Sequence, residues 1–331
     1  MPNQRRKIAG REINPIGLGC MSLSWAYGIP PSDEDGGRLL ERALELGYDH
    51  FDTARIYGLG HNETLVGNTL RAKRDQFFLA SKTGIIVDGK RRAIDCRPET
   101  IRAALETSLQ LLQTDHIDLY YLHRRDFTVP IEESIGALSD LVREGKIGSI
   151  GLSEMSAETV RRAHAEHPIA ALQTEYSPMT RNPEIAVLDV CRELGITFVA
   201  FSPLGRGLLT DSELDPTHMA KGDIRPGMPR FQGENFVQNA ALVNSFAQIA
   251  AREGITASQL ALAWVLAQGD HVVTIPGTGR IAHLEENIMR WDWEMTAAVG
   301  AEVDALISRE TVAGGRYNDA MQATIDTEEF A

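Results

Sequence analysis

Short apolar segments alternate with longer amphipathic ones along most of the chain. The apolar segments are rich in β-branched and aromatic residues, which is typical of buried strands. They lie at residues 16–19, 50–53, 77–81, 117–122, 149–152, 171–174, 197–201 and 272–275. Segments with helical periodicity lie between them, at residues 33–46, 98–112, 131–144, 157–164 and 184–194. This alternation predicts a parallel sheet built from repeated β-α units.

Eight such units favour a closed (β/α)8 TIM barrel over an open sheet, with residues 1–331 forming a single domain. The glycine fingerprint of an open dinucleotide-binding sheet is incomplete, because Gly17 and Gly19 have no third glycine after them. Residues 6–8 and 11–13 flank an Ala-Gly pair and predict an N-terminal β-hairpin that plugs the barrel bottom. We expect the polar stretches 84–96 and 206–232, which follow strands, to extend the active face. Residues 311–331 form an acidic tail with no clear period.

Composition narrows the possible partners. The 331 residues carry a net charge of −13, and the longest basic run in a loop is only Lys90-Arg91-Arg92, so no nucleic-acid partner is expected. No segment has the length of a membrane span or the pattern of a secretory signal, which favours a cytoplasmic protein without a membrane partner. Cys20, Cys96 and Cys191 lack metal-ligand spacing, so we expect them to be small buried residues and predict no metal site.

Ionisable residues interrupt the apolar pattern at the ends of successive strands. Asp52 ends the second strand, Lys82 the third and His123 the fourth, and Tyr57 lies five residues beyond Asp52. Because the ends of parallel barrel strands share one mouth, we expect these four side chains to converge. Each residue alone has an ordinary structural explanation, such as a helix cap or core packing. The four together indicate a catalytic site.

The residue types in this group indicate proton donation. A free tyrosine has a pKa of about 10, and a neighbouring lysine ammonium is expected to lower the pKa of Tyr57. Asp52 supplies the counter-charge that a buried Lys82 requires, and His123 orients the substrate oxygen by a hydrogen bond. The group therefore favours a phenol that donates a proton to an oxygen becoming an alcohol. It includes no nucleophile–base pair, which disfavours acyl transfer.

Three segments resemble the signature sequences of the aldo-keto reductases, and the resemblance extends in order over nearly the whole chain. They are residues 47–58 with Asn62-Glu63, residues 79–82 and residues 118–123. In that family the matched positions are the catalytic Asp, Tyr, Lys and His. The resemblance implies that Tyr57 is the general acid in the reduction of a carbonyl by NADPH.

The same resemblance implies a nicotinamide site. Ser153 and Gln173 match positions that hold the carboxamide, and Tyr176 matches the aromatic residue that stacks under the nicotinamide ring. The loop that wraps the pyrophosphate matches Ser202, Pro203, Leu204, Gly205, Arg206 and Gly207. Its glycines let backbone N–H groups approach phosphate oxygens.

The resemblance also implies how the adenosine end is held. Gly277, Thr278 and Arg280 match the start of the last barrel helix, where backbone N–H groups favour an anion such as the 2′-phosphate. Glu286 and Asn287 match positions that hold adenine. Two residues depart from the pattern. Glu154 stands where many members have Asn, so its role is open, and His283 stands where some have Arg, so NADPH is expected with NADH as the less favoured cofactor.

The sequence therefore predicts hydride transfer from NADPH to a small-molecule carbonyl, which Trp25, Tyr27 and the loop 84–96 contact. Two other functions compete with this one. A redox-sensing auxiliary subunit of a potassium channel would bind NADPH and turn over slowly. A barrel aldolase or isomerase would use Lys82 as a Schiff-base nucleophile. The substrate, the favoured direction and the oligomeric state stay open at this point.

Overall fold

A computed structural model describes residues 4–88, 91–288 and 293–330 of the chain, so Lys90 of the basic run lies outside the described residues. The strands in these ranges are β1 (Arg6–Ile8), β2 (Arg11–Ile13), β3 (Leu18–Gly19), β4 (His50–Asp52), β5 (Phe78–Thr83), β6 (Ile85–Asp88), β7 (Arg91–Ile94), β8 (Leu119–Leu122), β9 (Ile150–Ser153), β10 (Ile169–Glu175), β11 (Thr197–Phe201) and β12 (Val272–Thr274).

Helices cover the outside of the sheet. They are α1 (Asp33–Leu46), α2 (His61–Leu70), α3 (Pro98–Leu112), α4 (Ile131–Arg143), α5 (Ala157–Glu166), α6 (Val187–Leu194), α7 (Gly233–Arg252), α8 (Ala257–Leu266), α9 (Ile281–Ile288), α10 (Ala297–Leu306) and α11 (Asp319–Gln322). The five predicted helices are confirmed, although residues 182–184 form a separate 3-10 turn before α6.

The predicted closed barrel is confirmed. Strands β3, β4, β5, β8, β9, β10, β11 and β12 lie side by side in that order, and every neighbouring pair is parallel. The first and last strands meet through parallel bridges from Ile16 to Thr274 and from Gly19 to Gly277. A Cβ on Gly19 would lie 2.7 Å from the carbonyl oxygen of Ile275, so this seam requires glycine.

The predicted plug at the barrel bottom is also confirmed. Strands β1 and β2 pair as an antiparallel hairpin, and Ile8 and Ile13 are fully buried in the same cluster as Phe78 inside the barrel. The Arg6 guanidinium donates to the carbonyl oxygens of Leu266 at 2.7 Å and Gly269 at 2.9 Å. The hairpin therefore closes the end of the barrel opposite the predicted site.

The three irregular stretches differ in how they fold. Residues 84–96, expected as a loop, contain the antiparallel pair β6–β7. Residues 206–232 form successive 3-10 turns, and the C-terminal stretch crosses the barrel mouth, where Tyr317 and Met321 reach the cavity wall.

Among the described residues, no helix is long and apolar enough to span a membrane, and no group of metal-ligand residues is found. The three cysteines are free and buried, as expected.

Candidate active site

The barrel mouth brings together the four ionisable residues that the sequence predicted to converge, here called the catalytic cluster: Asp52, Tyr57, Lys82 and His123. Asp52 is the last residue of β4, Lys82 lies near the end of β5, and His123 directly follows β8. Tyr57 begins a 3-10 turn a few residues beyond β4. All four side chains are less than a tenth exposed.

Lys82 connects the members of the catalytic cluster. Its ammonium forms an ion pair with Asp52, donates to the carbonyl oxygen of Thr53 at 2.9 Å, and lies 3.5 Å from the hydroxyl oxygen of Tyr57. The rings of Tyr57 and His123 meet edge to face with 5.9 Å between their centroids. Gln173 donates to the second oxygen of Asp52 at 2.8 Å. Both acceptor atoms of the buried carboxylate are thus paired.

The pKa of Tyr57 differs in direction from the sequence-based expectation. Burial raises the pKa of its phenol above the ordinary value near 10, and the Lys82 ammonium offsets only part of that effect. The lysine charge alone would lower this pKa, but the loss of water around the buried phenol outweighs it. Tyr57 is therefore fully protonated at neutral pH, which is the form that a proton donor needs.

The other titratable members have fixed charge states at neutral pH. Burial by itself would lower the pKa of Lys82, but the Asp52 carboxylate more than offsets this, and the pKa of Lys82 is raised. Burial, followed by the charges of Arg124 and Lys82, lowers the pKa of His123 well below 6.5. His123 is therefore neutral and Lys82 is charged. A charged amine is a poor nucleophile, so this geometry disfavours the Schiff-base alternative.

A cavity of about 700 Å³ opens from the catalytic cluster across the barrel mouth. Most residues that the sequence assigned to the cofactor or substrate line it: Trp25, Tyr27, Ser153, Gln173, Ser202, Pro203, Leu204, Arg206, Gly207, Gly277, Thr278, Arg280, Glu286 and Asn287. Asp52, Tyr57 and His123 line the same cavity, whereas Lys82 lies beneath it. His283, the departure near the 2′-phosphate segment, is also on the wall.

Tyr176 and Gly205 do not line the cavity. Tyr176 is fully buried behind the wall, where its ring packs on Phe198 and Trp264 and its hydroxyl donates to Glu184 at 2.8 Å. The preceding residue of β10, Glu175, faces the opposite way, because side chains alternate along a strand. Phe201, at the end of β11, is a half-buried aromatic residue on the wall, as are Trp25 and Tyr27. The position of Phe201 at a strand end, just before Ser202, is visible in the sequence.

The loop 202–207 has an unusual backbone. Ser202 and Arg206 have φ values of 49° and 59°, which side-chain-bearing residues rarely adopt. Residues held in this region cost on the order of 1–3 kcal/mol each and are concentrated at functional sites. Strain at two positions of a single wall loop is typical of a functional site.

The start of α9 forms the far end of the cavity. The hydroxyl of Thr278 accepts from the backbone N–H of Arg280 at 3.0 Å, just before the helix begins at Ile281. The side chain of Arg280 is exposed. The N-terminus of a helix favours negative charge, and the exposed Arg280 beside it adds a cation, so this helix start is suitable for an anion.

Glu154, whose role the sequence left open, belongs to a set of buried charges that we call the rim cluster: Glu154, Glu175, Arg206 and Arg316. Arg316 donates to both oxygens of Glu154, at 2.9 and 2.6 Å, and Arg206 donates to Glu175 at 2.6 Å. Arg316 and Glu175 lie 3.6 Å apart. Thus Arg206, which the sequence assigned to phosphate binding, already has a carboxylate partner.

The rim cluster ties the C-terminal stretch to the barrel mouth. Glu154 also accepts from the Thr327 hydroxyl at 2.6 Å, and its carbonyl oxygen accepts from the backbone N–H of Asp326 at 3.0 Å. The ring of Tyr317 lies between the guanidiniums of Arg206 and Arg316, about 5 Å from each. The acidic tail expected to be irregular is therefore anchored over the cavity.

Comparison with known proteins shows which family this chain belongs to. A model of the aldo/keto reductase family matches residues 15–308. The aldo-keto reductase yakc of Schizosaccharomyces pombe, whose name specifies NADP(+), is 42% identical over 319 residues, covering 94% of each chain. This chain belongs to the aldo/keto reductase family.

Solved structures of similar fold include the glycerol dehydrogenase of Gluconobacter oxydans, with a TM-score of 0.84 and 30% identity over 93% of this chain and 96% of that one. An aldo-keto reductase of Klebsiella pneumoniae, solved in complex with NADPH, has a TM-score of 0.72 and 25% identity over 95% of this chain and 100% of that one.

Proposed function

We propose that this chain reduces the carbonyl group of an aldehyde or ketone with NADPH, and that Tyr57 is the general acid. One observation carries the proposal. The Tyr57 hydroxyl faces the cavity and lies 3.5 Å from the ammonium of Lys82, which Asp52 holds in place from the other side. NADPH, when bound, supplies a hydride for the carbonyl carbon.

The protein side of the reaction is a proton transfer. Tyr57 gives its proton to the carbonyl oxygen as that oxygen gains negative charge, and the phenolate that forms is stabilised by Lys82. His123 is neutral and donates a hydrogen bond that orients the same oxygen. Tyr57 then regains a proton from solvent, so the net change is one hydride and one proton added to the carbonyl.

The residues on the cavity wall fit a dinucleotide. Arg206 Nε is buried without a hydrogen-bond partner in the described part of the chain, and it belongs to the strained loop 202–207. This loop would hold the pyrophosphate, and Ser153 and Gln173 would hold the carboxamide. Phe201, rather than Tyr176, would supply the flat surface beside the nicotinamide ring.

The adenosine end would lie at α9. Gly277, Thr278 and Arg280 would bind the 2′-phosphate, with Glu286 and Asn287 beside the adenine. The names of the S. pombe and K. pneumoniae relatives specify NADP(+) and NADPH, which supports NADPH over NADH for this chain.

The proposal is tested by Tyr57→Phe. We expect NADPH oxidation with an aldehyde panel to fall roughly 10²–10⁴-fold, because the donor proton is lost. NADPH binding, followed by fluorescence, should persist. Tyr120→Phe is the matched control, since Tyr120 is a buried tyrosine of β8 that does not line the cavity.

Near-normal turnover in Tyr57→Phe would contradict the assignment of the general acid. Tight NADPH binding by the wild type with negligible reduction of every carbonyl would instead favour a sensor. Repeating the wild-type assay with NADH measures the cofactor preference.

A further inference from the structure

Two arginines on the cavity wall lie beside the catalytic cluster and have no assigned role. Arg92 lies on β7, and its guanidinium stacks on Trp25, 4.1 Å from the ring centroid. Arg124 directly follows His123, donates to the carbonyl oxygen of His123 at 2.6 Å, and lies 3.5 Å from the Ser153 hydroxyl. Within the described residues, neither guanidinium forms a salt bridge with a carboxylate.

Apart from Arg280 at the far end of the cavity, the other described lysines and arginines around it are paired with carboxylates. Lys82 is paired with Asp52, Arg206 with Glu175 at 2.6 Å, and Arg225 with Asp223 at 2.6 Å. The region beside Tyr57 and His123 therefore has an excess of positive charge, in a chain whose net charge is −13. A local excess that opposes the overall charge indicates a negatively charged ligand at this position.

The barrel order separates this region from the proposed cofactor site. Arg92 and Arg124 follow β5 and β8, whereas the loops proposed for the pyrophosphate and the 2′-phosphate follow β11 and β12. In the order β3-β4-β5-β8-β9-β10-β11-β12 these two pairs of strands lie on opposite sides of the closed barrel. The two arginines thus face the substrate end of the cavity rather than the phosphates of a dinucleotide.

We propose that the carbonyl substrate carries an anionic group, a carboxylate or a phosphate, that binds Arg92 and Arg124. This inference rests on the proposed function. The guanidinium fork matches the oxygens of either group, and Trp25 holds the plane of Arg92 while offering an apolar face to the body of the substrate. The carbonyl oxygen then lies at Tyr57 and His123, so the arginines select the substrate and take no part in proton transfer.

The test compares two aldehydes with the same reacting group, 4-carboxybenzaldehyde and its neutral methyl ester, by kcat/KM. We expect the wild type to prefer the carboxylate at least about tenfold, and this ratio to fall about tenfold in Arg92→Gln and in Arg124→Gln, since a charged hydrogen bond is lost. Arg92→Lys should restore part of the preference. Arg143→Gln, at an exposed position of α4, is the control for removing a positive charge. The same kcat/KM measurement with 4-formylphenyl phosphate shows whether the site prefers a phosphate or a carboxylate.

A second measurement needs no variant. The KM for 4-carboxybenzaldehyde should rise with ionic strength, while that of the ester should not, because salt screens charge–charge attraction. Equal use of both aldehydes by the wild type, or arginine variants that leave the ratio unchanged, would overturn the inference. The inference would also be overturned if the arginine variants lost activity because they bind NADPH more weakly. If the wild type reduces neither aldehyde, nor any other carbonyl of the panel, the proposed function itself fails.

Discussion

The catalytic cluster and the rim cluster are both buried sets of paired charges at the mouth of the same barrel. In the rim cluster two carboxylates face two guanidiniums, and every charge is matched. In the catalytic cluster one matched pair, Asp52 and Lys82, lies next to a neutral phenol that opens to the cavity. Matched charges fix the side-chain geometry in both clusters. In our proposal the catalytic cluster differs because its protonated phenol, Tyr57, can donate a proton.

The largest effect should come from removing the ammonium of the catalytic cluster. We expect Lys82→Met to lower carbonyl reduction by roughly 10²–10⁴-fold, because the phenolate of Tyr57 loses its stabilising charge. The same change leaves Asp52 buried without a counter-charge, so the free energy of unfolding should fall by about 3–5 kcal/mol. Steady-state kinetics and urea unfolding measure the two effects.

The double variant Asp52→Asn/Lys82→Met separates chemistry from stability. It removes both charges, so most of the stability should return while activity stays low. Recovery of activity along with stability would mean that the pair acts only as a scaffold.

In the rim cluster we expect a loss of stability without a matching loss of chemistry. Glu154→Gln leaves Arg316 buried with Glu175, at 3.6 Å, as its remaining carboxylate neighbour in the rim cluster. We therefore expect the free energy of unfolding to fall by about 3 kcal/mol. Backbone hydrogen exchange in residues 316–327 should speed up, because Glu154 anchors that stretch. Urea unfolding and exchange mass spectrometry provide the readouts.

Glu193→Gln is the matched control for the rim variant, since Glu193 is an exposed partner of Arg161 and should show no measurable change. A fall in kcat of Glu154→Gln as large as that of Lys82→Met would remove the distinction between the two clusters.

A smaller effect is expected from pH. Burial by itself would raise the pKa of Glu154, but Arg316 more than offsets it, and the pKa falls from 4.5 to about 2. Below pH 4.5 the unfolded chain therefore binds a proton that the folded chain does not, so this contribution to stability is full above pH 4.5 and is lost as pH falls toward 2.

Between pH 6 and pH 3 the wild type should lose about 2 kcal/mol more stability than Glu154→Gln/Arg316→Met, which lacks the titrating pair. Urea unfolding at the two pH values measures the difference. Parallel losses in the two proteins would show that Glu154 does not titrate as described.

The sequence predicted the barrel and the catalytic cluster because both depend on local patterns. Apolar strands are short and uniform, and Asp52, Lys82 and His123 stand out as ionisable residues at their ends. Helix α8 was not predicted, since all of its residues are buried and it shows no 3.6-residue alternation. The strands β6 and β7 pair only with each other, outside the barrel sheet, so the β-α repeat that predicted the barrel strands does not extend to them.

The rim cluster could not be predicted from one sequence. Glu154 and Arg316 are 162 residues apart, and no local pattern marks either as the partner of the other. The sequence also could not show that Phe201, and not Tyr176, lines the cavity. Both aromatics adjoin a strand end, and only the direction in which each side chain points, fixed by packing on Trp264, decides which one reaches the cavity.

The bottom plug has a consequence for synthesis on the ribosome. Arg6 hydrogen-bonds with Gly269, 263 residues later, so the contacts of the hairpin with the last barrel unit and the bridges that close the barrel at the first strand form only after that unit is made. At a translation rate of about 5–20 residues per second, that wait is roughly 13–50 s. During this time the edge of β3 has no neighbour on one side, and unpaired edges invite association with other chains. The nascent chain is therefore expected to present an unpaired strand edge until its final strand has left the exit tunnel.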